Sequence, residues 1–154
     1  MSNAFSLESF LPYRINRLAE QMSQSLATVY NRQFGISVAQ WRILATLNES
    51  PGLTAKAVTQ SCNLDKVRVS RAVTDLEERG LLARRASPDD GRASELRLTN
   101  AGLRLFERIA PLVLAWEVEF LGSLSEGQKQ SLGQLLQHLE ADLGVSATTD
   151  QGGN

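Results

Sequence analysis

The stretch Asp65–Thr99, DKVRVSRAVTDLEERGLLARRASPDDGRASELRLT, changes from a helical pattern to a strand pattern. Asp65 is a favourable N-cap for a helix. Val69, Val73 and Leu76 recur at spacings of four and three residues, which predicts that they face a core. The other faces carry side chains suited to phosphates and nucleic-acid base edges. These side chains are Lys66, Arg68, Ser70, Arg71 and Thr74.

The second half of the stretch predicts a two-stranded β-hairpin. Leu96 and Leu98 alternate with polar residues, which is the period of a half-buried strand. The pair Asp90-Gly91 is a strong hairpin-turn signal. Four basic side chains crowd this hairpin, namely Arg84, Arg85, Arg92 and Arg97.

Capping residues predict two more short helices upstream. Ser37 begins a capping-box pattern, and Pro51-Gly52 ends the helix that follows it. Thr54 caps the next helix, and Asn63 provides a turn before the charged helix. Three short helices followed by a hairpin are typical of a winged helix-turn-helix. We therefore predict a mainly α fold with a small β-hairpin.

A long N-terminal helix precedes this domain. Pro12 suits its first turn, and Gly35 can end it. One face is apolar along its length, through Leu11, Ile15, Leu18, Met22, Leu26 and Val29.

Further helices follow the hairpin. Thr99 or Asn100 caps the first of them, and Pro111 is expected to kink or divide it. Ser125 caps the last helix, whose apolar stripe consists of Leu132, Leu135, Leu136, Leu139 and Leu143. The outer stripes exceed what one small winged helix covers, so we predict a homodimer with two-fold symmetry.

Composition excludes several kinds of site. Among 154 residues, Cys62 is the only cysteine and His138 the only histidine. This excludes an internal disulfide and a zinc site built from cysteines or histidines. The sequence has neither a Gly-rich phosphate loop nor an evident Ser-His-Asp arrangement, so we expect no enzyme and no cofactor. We expect Cys62 to be a buried structural thiol.

Charge is distributed unevenly along the chain, although the formal net charge is only −1. Residues 1–99 carry 13 basic and 10 acidic side chains, whereas residues 100–154 carry 3 basic and 7 acidic side chains. The basic excess upstream permits binding to nucleic acid. Because no secretory signal or long apolar run is present, we expect a cytoplasmic protein without a membrane partner.

The chain resembles the MarR family of bacterial transcription regulators over roughly residues 7–143. The resemblance rests on SVAQWRILATL, LDKVRVSRAVTDLEERGLLARR and SPDDGRASELRLTNAG in this order and spacing. The most specific part is an Asp-x-Arg in the hairpin tip, followed by a Leu-Thr-x-x-Gly exit at Leu98, Thr99 and Gly102.

This resemblance implies a homodimeric winged helix that binds palindromic double-stranded promoter DNA, usually as a repressor released by a small ligand. The helix from Lys66 would lie in the major groove, and Arg92 would enter the minor groove with Asp90 bracing it. Arg84 and Arg85 would contact phosphates, unless one of them pairs with an acid. Gly91 departs from the family, which often has a second arginine there.

The segment LPYRINRLAE is similar to the first helix of members that respond to aromatic carboxylates. The resemblance implies that Arg14 would pair with such a carboxylate, with Tyr13, Ile15 and Trp41 as walls of the pocket. An ion pair between subunits is the alternative for Arg14, and a core position is the alternative for Trp41.

The expected domains follow from these elements. Residues 1–6 are a disordered N-terminus or cloning scar, 7–36 a dimerisation helix, 37–99 the winged helix-turn-helix, 100–144 the C-terminal dimerisation helices and 145–154 a disordered tail. The alternative function is a dimeric winged-helix module that acts through protein partners.

Overall fold

The computed structural model describes residues 4–89 and 91–145, which form six helices and three strands. The helices are α1 (Leu11–Phe34), α2 (Val38–Glu49), α3 (Ala55–Cys62), α4 (Lys66–Glu78), α5 (Asn100–Phe120) and α6 (Glu126–Asp142). The strands are β1 (Leu53–Thr54), β2 (Leu82–Ala86) and β3 (Ser94–Leu98). This order confirms the predicted mainly α, winged helix-turn-helix fold.

Local capping chemistry sets most helix boundaries. Ser37 and Gln40 form the predicted capping box, because each side chain accepts a hydrogen bond from the other residue's backbone N–H. Gly35 ends α1 in the left-handed conformation, with φ +63°. Of the two candidate caps for α5, Thr99 is the residue that caps the helix, since its Oγ1 accepts a hydrogen bond from the Gly102 N–H over 3.1 Å.

The sheet contains one strand more than the predicted hairpin. Strands β2 and β3 pair antiparallel, and β1 adds to the other edge of β3 with Leu53 opposite Leu96. Gly52, at φ +86°, donates its N–H to the carbonyl of Leu96 over 2.9 Å and so turns the chain into β1. A strand of two residues is too short to show a strand period, which is why sequence patterning missed it.

The core lies where α2, α3, α4 and the sheet meet. Its members include Ile36, Ile43, Leu44, Leu47, Val58, Val69, Val73, Leu76, Leu82 and Leu96, all buried. The predicted inward face of α4 is confirmed, because Val69, Val73 and Leu76 are each at most 1% exposed.

Helix α5 continues through Pro111, so of the two predicted effects of this proline, a kink or a division, the division is wrong. Proline removes one backbone hydrogen bond from a helix. Leu105 and Ile109 before it and Val113 after it pack on the core cluster. This packing on both sides of the proline holds the two parts of α5 in one helix.

The chain divides into two compact units, one ending at Leu114 and the other beginning at Ala115. In the first unit, the start of the apolar stripe of α1 is exposed, at Leu11, Ile15 and Leu18. In the second unit, α6 has no buried residue, and its leucines are all exposed. Within the described ranges, no helix combines the length and apolarity needed to cross a membrane.

Candidate nucleic-acid interface

Helix α4 presents a polar face that the core does not use. At its start, Asp65 Oδ1 accepts a hydrogen bond from the backbone N–H of Arg68 over 2.8 Å. All five predicted interface side chains of this helix are exposed: Lys66, Arg68, Ser70, Arg71 and Thr74. In the part of the chain that the structure describes, its three cations form no ion pair. These cations are therefore available to a negatively charged partner.

Sequence reasoning missed Val67 as a member of the same face. Its side chain is 58% exposed, and Ser70, Arg71 and Thr74 follow it three, four and seven residues later. This helical spacing was visible in the sequence. Because the neighbouring valines of α4 face the core, the residue type of Val67 gave no indication that it faces outward.

The loop between β2 and β3, of which the structure describes residues 87–89 and 91–93, is the wing. Arg92 is exposed in the wing. Asp90, the predicted brace of Arg92, lies outside the described residues. A Cβ atom on Gly91 would meet nothing within 4 Å, so a larger side chain has room at this position.

The two arginines of β2 differ in their surroundings. Arg84 Nε donates to Glu77 Oε2 of α4 over 2.6 Å, and both side chains are about two-fifths exposed. Arg85 is exposed and forms no ion pair with any residue described. Glu95, which lies opposite Arg85 in the strand register, instead contacts Arg97 at 3.4 Å. Arg84 therefore has the acidic partner that the sequence left open, whereas Arg85 has none among the described residues.

A cleft of about 510 Å³ is lined by residues of α3 and α4 and by Arg84 of β2. Lys56, Lys66 and Arg84 contribute cations to its lining, and Val69 and Val73 contribute apolar surface. Lys56 is exposed on the first turn of α3 and was not among the predicted interface residues. Its position beside α4 extends the positive surface of the helix-turn-helix.

Two arginines join the helix-turn-helix to α1. Arg79, the C-cap of α4, donates hydrogen bonds to the carbonyl oxygens of Gly35 and Phe34 at the end of α1. Arg42 of α2 donates to Ser23 Oγ of α1 over 3.1 Å and to the carbonyl of Cys62, the last residue of α3, over 3.4 Å. Nearby, Gln40 Nε2 donates to Asp75 Oδ2, which joins α2 to α4.

The predicted ligand-binding residues do not meet within one chain. Tyr13, Arg14 and Ile15 are exposed in the first turns of α1. The ring of Trp41 instead stacks on Tyr30, with centroids 5.7 Å apart, and on Phe106, at 5.5 Å. Arg14 and Tyr30 are 16 residues apart on one helix, which is about 24 Å at 1.5 Å per residue. A pocket that uses both Arg14 and Trp41 therefore needs a second copy of the chain.

Two buried groups have perturbed pKa values. Burial raises the pKa of the Cys62 thiol, and the Thr46 hydroxyl and the Arg42 charge oppose this only in part. Burial likewise raises the pKa of Tyr30 against the smaller effect of Arg42. Cys62 is 5% exposed, as predicted for a structural thiol. Among the described residues, no three His, Cys, Asp or Glu side chains are placed to hold a metal ion.

Residues 34–93 match a family model described as the MarR family. The HTH-type transcriptional regulator BilQ of Clostridium symbiosum is 30% identical over 105 residues, which cover 68% of this chain and 73% of BilQ. The HTH-type transcriptional repressor IacR of Pseudomonas putida is 26% identical over 136 residues, or 88% of this chain and 81% of IacR. A further relative is the putative transcriptional regulatory protein for the hcr operon of Thauera aromatica. The match covers 63% of the length of that protein.

Solved structures extend the similarity to the flanking helices. A MarR/EmrR family transcriptional regulator from Acinetobacter sp. ADP1 has a TM-score of 0.80 at 27% identity, over 92% of this chain and all of that chain. The PcaV transcriptional regulator of Streptomyces coelicolor, solved in complex with its natural ligand, has a TM-score of 0.68 at 27% identity. That match covers 90% of this chain and 96% of PcaV.

Proposed function

Because the chain belongs to the MarR family of transcription regulators, we propose that it is a homodimeric repressor that a small ligand releases from a palindromic promoter site. As a member of this family it is a DNA-binding regulator and not an enzyme. The observation that carries the proposal is the exposed face of α4, whose three cations have no acidic partner among the described residues. The name of the related repressor IacR supports repression.

The proposed contacts follow from the positions of the side chains. Helix α4 lies in the major groove, where the exposed face beginning at Lys66 meets phosphates and base edges. The wing brings Arg92 to the adjacent minor groove. Arg85 is the stronger candidate of the β2 arginines for a phosphate contact, because Arg84 is held by Glu77.

Exposed apolar faces support the proposed homodimer. Leu11 and Leu18 of α1 are each 53% exposed, and Leu135 of α6 is 62% exposed. An exposed apolar stripe along a helix of this kind often marks an interface. A two-fold dimer would present two copies of α4 to the two halves of a palindrome.

Arg14 supports the proposed response to an aromatic carboxylate. Its guanidinium is exposed and forms no ion pair within residues 4–89 and 91–145. A planar guanidinium binds a carboxylate through two parallel hydrogen bonds. The ligand complex of PcaV supports ligand binding on this fold. Because Arg14 and Trp41 are far apart in one chain, the proposed pocket takes Arg14 from one subunit and Trp41 from the other.

DNA binding is tested by fluorescence anisotropy with the intergenic DNA upstream of the gene, titrated over a range of salt concentrations. We expect a linear fall of log affinity with log salt, and Arg92→Ala should reduce the slope by about one unit per subunit, or about two units for the dimer. Arg104→Ala is the matched control, since Arg104 is an exposed arginine of α5 and belongs neither to the wing nor to α4. No preference for this DNA over random duplex would contradict the proposal and favour a module that acts through protein partners.

Ligand response is tested by titrating benzoate-type acids into the preformed DNA complex. Arg14→Ala should bind DNA as the wild type does but should not be released by the acid. Linkage requires that the acid bind free dimer more tightly than DNA-bound dimer, by the same factor that it weakens DNA binding. A mutant that responds fully, or a wild type that no such acid releases, would exclude Arg14 as the carboxylate-binding residue.

A further inference from the structure

Val67 is an apolar side chain at the centre of an otherwise polar surface. It is 58% exposed, although the residues on either side of it, Lys66 and Arg68, are charged. The core does not need it, because α4 meets the core through Val69, Ala72, Val73 and Leu76.

The helical geometry places Val67 opposite the buried face. At 100° per residue, the four buried positions of α4 centre on a direction roughly 170° away from Val67. Ser70, Arg71 and Thr74 continue the same exposed stripe towards the C-terminus of the helix. Val67 therefore faces almost directly away from the core in the first turn of α4.

A valine is a poor choice for a position that only faces water. Its β-branch restricts the side chain in a helix, and lysine, glutamate or alanine would favour the helix more. Its methyl groups cannot form hydrogen bonds, so they do not interact favourably with a phosphate or with a polar base edge. The apolar feature of base edges in the major groove is the C5-methyl group of thymine.

The position of Val67 in α4 agrees with this chemistry. In helix-turn-helix proteins, the N-terminal residues of the second helix contact base edges in the major groove. Val67 is the second residue of α4, after Lys66. A basic residue on each side supplies attraction to the DNA backbone, while the valine faces directly away from the core.

We propose that Val67 is a specificity-determining residue that packs on the C5-methyl group of a thymine in each half of the DNA site. This inference rests on the proposed function, because it requires α4 to enter the major groove. It assigns to the first turn a preference for thymine that the basic side chains cannot supply.

The experiment replaces thymine by deoxyuridine, which differs only by the missing methyl group. A duplex selected from a random library by the wild-type protein is remade with uracil at each symmetric pair of thymines in turn, and affinities are measured by anisotropy. We expect one pair to weaken binding by about fourfold per methyl group, or roughly fifteenfold for both half-sites. Val67→Ala should bind the thymine and uracil duplexes almost equally, whereas Val67→Ile should retain the preference.

Ser70→Ala is the matched variant, because Ser70 lies on the same stripe but is polar. It should keep the full preference for thymine over uracil. If the wild type selects and binds DNA but no uracil pair weakens binding, or if Val67→Ala keeps the full preference, the inference is overturned and the proposed function stands. If the wild type selects no DNA sequence at all, the inference about Val67 and the proposed function both fail. Alanine favours a helix more than valine does, so Val67→Ala tests contact rather than folding.

Discussion

Arg79 donates a hydrogen bond from Nη1 to the carbonyl oxygen of Gly35 over 3.0 Å, across 44 residues of sequence. Its Nη2 donates to the carbonyl oxygen of Phe34 over 3.1 Å. A guanidinium at this position also interacts favourably with the C-terminal end of the α1 dipole. Because Arg79 is the C-cap of α4, it joins the ends of the proposed recognition and dimerisation helices.

Arg79→Met should destabilise the chain and weaken DNA binding without removing a phosphate contact. Methionine keeps the apolar stem but loses both hydrogen bonds, which lowers the free energy of unfolding by about 1–2 kcal/mol. Affinity for DNA should fall while the salt slope stays the same, since α4 is displaced but loses no cation on its exposed face. Urea denaturation and salt titration measure the two effects, with Arg104→Met as the control. A reduced salt slope would mean that Arg79 touches DNA itself.

Glu77→Gln should strengthen DNA binding. The substitution removes a negative charge next to the proposed interface and releases Arg84, which Glu77 holds at 2.6 Å. The salt slope should rise by about one unit per subunit, or about two units for the dimer, if the released arginine takes a phosphate. Stability should change little, because an exposed ion pair contributes only about 0–1 kcal/mol. Glu140→Gln removes the same charge from α6 and controls for net charge, so an equal gain in that variant would argue against a local effect.

Gly102→Ala should disturb the junction between the sheet and α5. A Cβ atom at Gly102 would lie 2.0 Å from the carbonyl oxygen of Leu81, which is backbone and cannot turn aside. Relieving this overlap requires α5 to move, at a cost of about 1–3 kcal/mol or more in the free energy of unfolding. Gly127→Ala is the control, because its Cβ would meet only Ser125 Oγ at 3.9 Å. Equal thermal midpoints for the two variants would show that the α5 junction yields without strain.

Cys62 should lower the stability of the folded chain at alkaline pH. Burial raises the pKa of its thiol above the ordinary value of 9.0, so the folded state holds the proton more tightly than the unfolded state. Below this value the thiol is protonated in both states and contributes no pH dependence. Above it the unfolded chain binds fewer protons, so the free energy of unfolding falls as pH rises.

The comparison of wild type with Cys62→Ala isolates this effect. Urea denaturation at about pH 8 and pH 10 should show a larger loss of stability in the wild type, although the alanine variant is less stable at both values because of its cavity. Tyr30, whose pKa is also raised by burial, acts in the same direction at higher pH in both proteins. An identical loss in the two proteins would assign the alkaline effect to groups other than Cys62.

Much of the fold could be predicted because its signals are local. The capping box at Ser37, the caps at Thr54, Asp65 and Ser125, and the glycine that ends α1 are all observed where the residue types indicated. A cap depends on hydrogen bonds within one turn of helix, so three or four residues of sequence contain the information.

The candidate interface was predicted less completely. The spacing of Val69, Val73 and Leu76 identified the inward face of α4, and the exposed polar face followed from it. Two residues of the candidate interface were not predicted. The residue type of Val67 suggested the core, and Lys56 belongs to the interface only because α3 packs beside α4. For such residues the direction of the side chain depends on neighbouring elements rather than on the residue type.

The sequence by itself therefore determined the caps at which most of the helices begin, the face of α4 that meets the core and the charged side chains of its exposed face. Only the tertiary structure decided that Arg84 is paired with Glu77, that Arg79 joins α4 to α1, and that Trp41 lies between two rings, far from Arg14. The physical reason is the range of the interactions. Caps and helical periodicity act within a few residues, whereas these pairings join residues brought together only when the elements pack.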